Sequence, residues 1–185
     1  MGANVDNAVY FLMTTLMNLF LGVVMLRVLL AWLQADFYNP ISQLVWKLTQ
    51  PILGPFQNLV PRWRTLDVAA CVLLLLLSTA YIYVVMWMVS VSTGLGSALW
   101  FALLKVFSLG ASLYTISLFA QAILSWVGPG INNPAANILW SLNEPLLRPI
   151  RRVIPPIGGL DLSPLVVILA LQVLSRLLPL PGVFR

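Results

Sequence analysis

The sequence predicts an all-α integral membrane protein, with four transmembrane helices in two parallel repeats and a kinked amphipathic interfacial helix between the two spans of each repeat. Three observations predict this. Hydrophobic residues make up 61% of the chain and charged residues 8%, at a mean hydropathy of +0.97. That leaves too little polar surface to cover a water-soluble globule. The apolar residues fall into four long runs, joined by two proline-rich basic segments and one short uncharged turn. Finally, residues 27–70 recur at 121–164 without a gap.

The N-terminus has no Lys or Arg and carries Asp6, so it lacks the basic start of a cleaved signal peptide, and the first apolar run is expected to stay. That run, 8–33, is interrupted only by Thr, Asn18 and Arg27, and as a helix of roughly 39 Å it can cross a bilayer with some tilt. Asn39-Pro40 then supplies a helix cap and a first-turn proline. In the helix expected over 40–60, Ile41, Leu44, Val45, Leu48, Ile52 and Phe56 recur at three and four, and Ser42, Gln43, Lys47, Gln50 and Asn58 take the other side. It is too polar to span and suits an interface. Pro51 and Pro55 remove two backbone donors, so a kink or a break into two short helices is expected near Gln50.

Asp67 stands ahead of the second span, 68–91. The short turn 92–97 carries Gly94 and Gly96, and the third span follows at 99–127. A stripe of small residues, Ser108, Ala111, Ser112 and Thr115, offers a site for close helix contact. Asn133-Pro134 repeats the cap-and-proline signal for an interfacial helix over 134–154, which contains Pro145 and Pro149. Asp161 stands at the start of a fourth span, 160–180. At the offset of 94 residues, 12 of 44 positions are identical, among them Trp32/Trp126, Asn39/Asn133, Pro40/Pro134, Pro51/Pro145, Pro55/Pro149 and Asp67/Asp161. The chain therefore divides into 1–93 and 94–185. Two spans separate equivalent points, so the repeats are parallel rather than inverted.

Lys47, Arg62, Arg64, Arg148, Arg151 and Arg152 lie in the two long connections and Arg27 lies near them, whereas Lys105, Arg176 and Arg185 fall opposite. This bias puts the amphipathic connections in the cytoplasm and both termini outside. The chain has no His and one Cys, Cys71, inside an apolar run. Disulfide frameworks, zinc sites and Cys/His nucleophile pairs are thereby excluded within one chain. The net charge of +5 lies beside apolar spans, where anionic headgroups are a nearer partner than nucleic acid.

Arg148, Arg151 and Arg152, at i, i+3 and i+4, are with Lys47 the candidate lipid- or partner-binding residues. Orientation by the positive-inside rule explains the same arginines without a site, and is the plainer reading. Asp67 and Asp161 could be ion sites, but capping of the spans they precede is preferred. Arg27 and Lys105 lie furthest inside spans. They could line a transport pathway, although snorkelling to the interface is the simpler expectation. The tryptophans near span ends read as an aromatic belt, and the methionines as packing residues rather than metal ligands.

The run EPLLRPIRRVIPPIGGLDLSP, preceded by ILSW, resembles the YggT family of small bacterial membrane proteins, called YlmG in some bacteria and chloroplasts. Ser125, Trp126, Pro145, Pro149, Arg151, Ile154, Pro155, Gly158, Asp161, Ser163 and Pro164 carry the resemblance, and DFYNPISQ and TQPILGP extend it to the first half. The first half departs from the motif with Gly54, Arg64, Thr65, Ala69 and Ala70, so roles tied to those side chains do not transfer there. The resemblance implies a multi-pass protein of the bacterial inner membrane with no agreed catalytic residue. Its relatives are linked with cytochrome assembly in chloroplasts, with nucleoid or envelope organisation and with osmotic tolerance. The leading expectation is a non-enzymatic factor that organises or assembles membrane components through its amphipathic helices. Its expected partners are anionic membrane lipids and a membrane protein, with a homo-oligomer also open, and no nucleic acid bound directly, no metal and no cofactor. A channel or transporter subunit for ions or osmolytes, and a cofactor assembly factor, stay open beside it.

Overall fold

The computed structural model describes residues 2–59, 65–127, 133–154 and 161–184. Six α-helices follow one another: α1 (Gly2–Trp32), α2 (Pro40–Leu59), α3 (Val68–Met88), α4 (Leu95–Val127), α5 (Pro134–Val153) and α6 (Ser163–Leu177), then a 3-10 turn at Gly182–Phe184. Three of them, α1, α3 and α4, are long and apolar enough to cross a membrane. The fourth expected span is shorter than 160–180: α6 has 15 residues, roughly 22 Å against a hydrocarbon core of about 30 Å. It stops because Leu178, ahead of Pro179 and with Pro181 close behind, is extended at φ −63°, ψ 128°.

The helix ends have local causes. Asn39 Oδ1 accepts the Ile41 amide at 2.9 Å and Asn133 Oδ1 accepts the Ala135 amide at 3.0 Å, so both Asn-Pro pairs start helices as expected. α1 and α3 end in Schellman turns. In α1 the amides of Gln34 and Ala35 reach the Ala31 and Leu30 carbonyls, and in α3 those of Ser90 and Val91 reach Trp87 and Met86. Gln34 and Ser90 hold the left-handed position at φ 52° and 58°. The second span accordingly ends at Met88 rather than 91, and Gly96 falls inside α4 rather than in the turn.

Neither of the two helices expected at the interface breaks. α2 and α5 run as single helices with Pro51 and Pro55, and Pro145 and Pro149, inside them. In the turn before Pro51 two α2 carbonyls also accept from side chains: that of Val45 from the Thr49 hydroxyl at 2.7 Å and that of Trp46 from Arg27 at 3.4 Å.

α1 packs on α2 and α3, and α2 on α3; α4, α5 and α6 contact one another in the same pattern. The halves meet where α3 and α1 pack on α4 and α2 packs on α5. At one end, Asn39 Nδ2 donates to the Pro134 carbonyl at 2.8 Å, joining the starts of α2 and α5. At the other, the C-terminal turn buries Phe184 among α1, α3 and α4, and the Tyr10 hydroxyl donates to the Val183 carbonyl at 3.2 Å. α1 and α4 approach closely at Gly110, where an added Cβ would lie 2.6 Å from Met25 Cε. This is beside the small-residue stripe, whose Ser112 is exposed.

The faces of α2 are distributed differently from the expectation. Val45 and Leu53 turn inward with the polar Ser42 and Thr49, whereas Leu44, Leu48 and Ile52 face outward beside Trp46 and Lys47. Arg27 on α1 accounts for the inward turn of Thr49, whose hydroxyl accepts from its guanidinium.

Candidate functional site

Arg27, 22 residues before Thr49 in the chain, points from α1 into α2. Its Nη1 donates to Thr49 Oγ1 at 2.6 Å and its Nη2 to Gln50 Oε1 at 3.0 Å. Gln50 Nε2 then donates to Gln57 Oε1 at 3.2 Å, and Gln57 Nε2 to Asp67 Oδ2 at 3.0 Å. Asp67 closes the ring, lying 3.6 Å from Arg27 Nη2, with both side chains 7% exposed. It also caps α3 as expected, its Oδ1 accepting the Ala70 amide at 3.2 Å. One ring thus ties α1, α2 and α3 together. Arg27 is buried rather than snorkelling, because α2 brings acceptors to it and makes the route to the interface unnecessary.

The second half holds the corresponding positions, 94 residues on, in another arrangement. Gln121 replaces Arg27 and Arg151 replaces Gln57, so the arginine has moved from the span to the amphipathic helix. Arg151 Nη1 meets Glu144 Oε2 at 2.7 Å, and its Nε meets Asp161 Oδ2 at 2.8 Å. Asp161 Oδ1 accepts the Ser163 amide at 2.9 Å, which satisfies one first-turn donor of α6, although the helix itself begins at Ser163. A separate pair of bonds runs from Ser117 Oγ to Asn143 Oδ1 at 2.6 Å and from Asn143 Nδ2 to Gln121 Oε1 at 2.7 Å. For Asp161, burial works against the charge, but donors from Ser163 and Arg151 and the Arg151 charge outweigh it and hold the carboxyl below its ordinary range. Burial also works against the Arg151 charge, and Asp161 with Glu144 outweighs it and raises the guanidinium pKa further.

The arginine trio is therefore not one surface. Arg151 is held by two carboxylates, Arg148 is 65% exposed with Glu144 at 3.6 Å, and Arg152 is exposed. Lys47 is exposed on α2. Lys105 is buried rather than snorkelling: its Nζ donates to the Phe184 carbonyl at 2.7 Å and sits 4.6 Å from the Tyr81 ring centroid. Trp32, Trp46 and Trp140 are exposed. Pro61, Arg62, Trp63, Arg64, Pro155 and Gly158, and the side chains of Ser125 and Trp126, lie outside the described residues.

Beside the Arg27 ring is a cleft of about 490 Å³ between α1, α2 and the segment entering α3. Arg27, Asp67 and Ser42 line it with apolar residues that include Leu30, Ala31 and Val45, and Phe37 and Trp46 stand edge to face beside it with centroids 6.2 Å apart. Ser42 Oγ is buried without a hydrogen-bond partner. Among the described residues no group of His, Cys, Asp and Glu side chains could hold a metal ion.

The chain matches the CCB3/YggT family model over residues 6–88 and 100–181. It is 37% identical to the uncharacterized protein YggT of Escherichia coli K12 over 169 residues, covering 91% of this chain and 88% of that one. An uncharacterized protein of Pseudomonas aeruginosa is 35% identical over 174 residues, at 93% and 88% coverage. A protein of Vibrio alginolyticus, described by its place in the proC 3' region, is 39% identical over 168 residues, at 90% coverage of each. No solved structure matches. With both halves matched and relatives similar over nearly their whole length, the chain belongs to the CCB3/YggT family.

Proposed function

We propose that the protein is a non-enzymatic factor of the bacterial inner membrane that organises or assembles membrane components through α2 and α5 lying on the cytoplasmic leaflet. In this reading α1, α3, α4 and a short α6 are four spans in two parallel repeats, and both termini lie outside. The observation that carries it is the outward face of α2. Leu44, Leu48 and Ile52, exposed at successive fourth positions, flank Trp46 and Lys47 while the opposite face is locked to α1 and α3. A rigidly held helix with apolar residues and a cation outward fits the boundary between acyl chains and headgroups. α5 presents Trp140, Arg148, Arg152 and Val153 in the same manner. Lys47, Arg148 and Arg152 are the cations we assign to anionic lipid or to an acidic membrane partner, and Arg151 positions α5. A channel or transporter reading would give Arg27 and Lys105 an open path, whereas both are engaged with the fold.

The test reconstitutes the protein and its K47Q/R148Q/R152Q variant in phosphatidylcholine bilayers and measures the selectivity for spin-labelled phosphatidylglycerol by electron paramagnetic resonance. At about 1 kcal/mol per cation near the surface, the variant should lose most of the wild-type preference. Equal selectivity in the two proteins would contradict the reading.

A further inference from the structure

The cleft beside Arg27 has a chemistry that the surface cations do not share. Its polar end carries one guanidinium and one carboxylate, 3.6 Å apart and both buried. A purely anionic group entering there meets Asp67 and a purely cationic one meets Arg27. The two already compensate each other and Arg27 is bonded to Thr49, Gln50 and the Trp46 carbonyl, so a ligand of one net sign would disturb the pair, and one bearing both signs would leave it balanced. The Asp67 carboxylate accepts from Ala70 and Gln57, and a carboxylate offers about four acceptor sites, so it retains capacity for an N–H donor. Ser42 Oγ, buried with no partner at this cleft, is the kind of group that calls for an unseen ligand or water. Leu30, Ala31, Val45 and Leu66 continue the wall away from the charges. The volume of about 490 Å³ lies within the range of small-molecule sites, roughly 300–1,000 Å³.

We propose that this cleft binds the headgroup end of a zwitterionic membrane amphiphile whose head carries a primary ammonium and a phosphate, the phosphoethanolamine chemistry. The ammonium faces Asp67, the phosphate lies between Arg27 and the Ser42 hydroxyl, and the glycerol and upper acyl carbons lie along Leu30, Ala31 and Val45. A quaternary choline head has no N–H to give Asp67, and a glycerol head has no cation, so both should bind less well. The inference rests on the membrane placement of α2 proposed above and is separable from the role of the surface cations.

The experiment uses the full chain, delipidated in detergent, titrated by calorimetry with short-chain phosphatidylethanolamine, phosphatidylcholine and phosphatidylglycerol, and with water-soluble phosphoethanolamine. Phosphatidylethanolamine should bind at least about tenfold more tightly than each of the others, the loss expected when one charged hydrogen bond is missing. Ser42→Leu and Ala31→Phe should each weaken it by about tenfold or more, the first by removing the hydroxyl and the second by filling the apolar wall. K47Q/R148Q/R152Q should bind it as the wild type does, whether or not its bilayer selectivity changes. Equal affinity for phosphatidylethanolamine and phosphatidylcholine would overturn the proposal, and wild-type selectivity decides this whatever the stability of the variants. Soluble phosphoethanolamine binding as tightly as the lipid would overturn the amphiphile assignment, as would unchanged binding in both cleft variants.

Discussion

In the first half of the molecule the arginine that faces the aspartate ahead of the next helix comes from α1; in the second half it comes from α5. Arg27 and Gln57 exchange places with Gln121 and Arg151 across the 94-residue offset, while Asp67 and Asp161 keep theirs. The first arrangement is a closed ring through three helices, with Arg27 and Asp67 each 7% exposed. The second is an open set, with Arg151 and Asp161 each 36% exposed and Gln121 bonded separately to Asn143. Both halves place an arginine beside that aspartate, but from different helices. The choice decides how much water the pair sees. The halves differ further in that α5 carries exposed Arg148 and Arg152, whereas α2 has a polar cleft at its inner face.

The contrast in burial sets the order of the expected effects. Replacing Arg27 with Met leaves Asp67 buried without its cation, which should cost about 3–5 kcal/mol and appear as a large drop in thermal unfolding temperature in detergent. Arg151→Gln breaks a pair that is about one-third exposed and solvent-screened, so a loss of about 1 kcal/mol or less is expected in the same assay. Comparable losses in the two variants would remove the distinction between the halves. The Asp161 carboxyl, held below its ordinary range, contributes stability above its unfolded value that is lost as pH falls through the acid range below about pH 4. Melting curves recorded down to pH 3 should therefore fall less steeply for Arg151→Gln than for the wild type. The smallest effect is at the α3 end, where Ser90→Gly relieves a left-handed residue and should raise stability by about 0.5–1 kcal/mol.

Much of this was legible in the sequence. Three long apolar helices, both Asn-Pro helix starts and the Asp67 cap are local matters of hydropathy and hydrogen bonding; the starts and the cap stand where the residues put them, and the helices differ from the expected spans at their ends. The burial of Arg27 was not legible, because snorkelling assumes that lipid surrounds the span, whereas α2 folds back with Thr49 and Gln50 as acceptors. Pro51 and Pro55 read as a break because each lacks a backbone donor, yet α2 runs through both as one helix, with Leu53 between them buried against Ala69, Ala70 and Leu73 of α3. Gln50, Gln57, Asn143, Gln121 and Glu144 stand in the sequence as ordinary polar residues, with no motif around them to mark them as partners. The signal that could have found them is the exchange of Arg and Gln at one offset, a paired change of the kind that marks neighbours in space.

That exchange can be rebuilt in the first half. Amide hydrogen exchange of α2 should be compared in the wild type, Arg27→Gln and Arg27→Gln/Gln57→Arg in detergent, since the double variant gives the first half the arrangement of the second. Protection over 45–53 should fall by at least about tenfold in the single variant and recover by half or more on a logarithmic scale in the double. A double variant no better protected than the single one, or a single variant as well protected as the wild type, would show that the arginine–aspartate ring does not hold α2 in place.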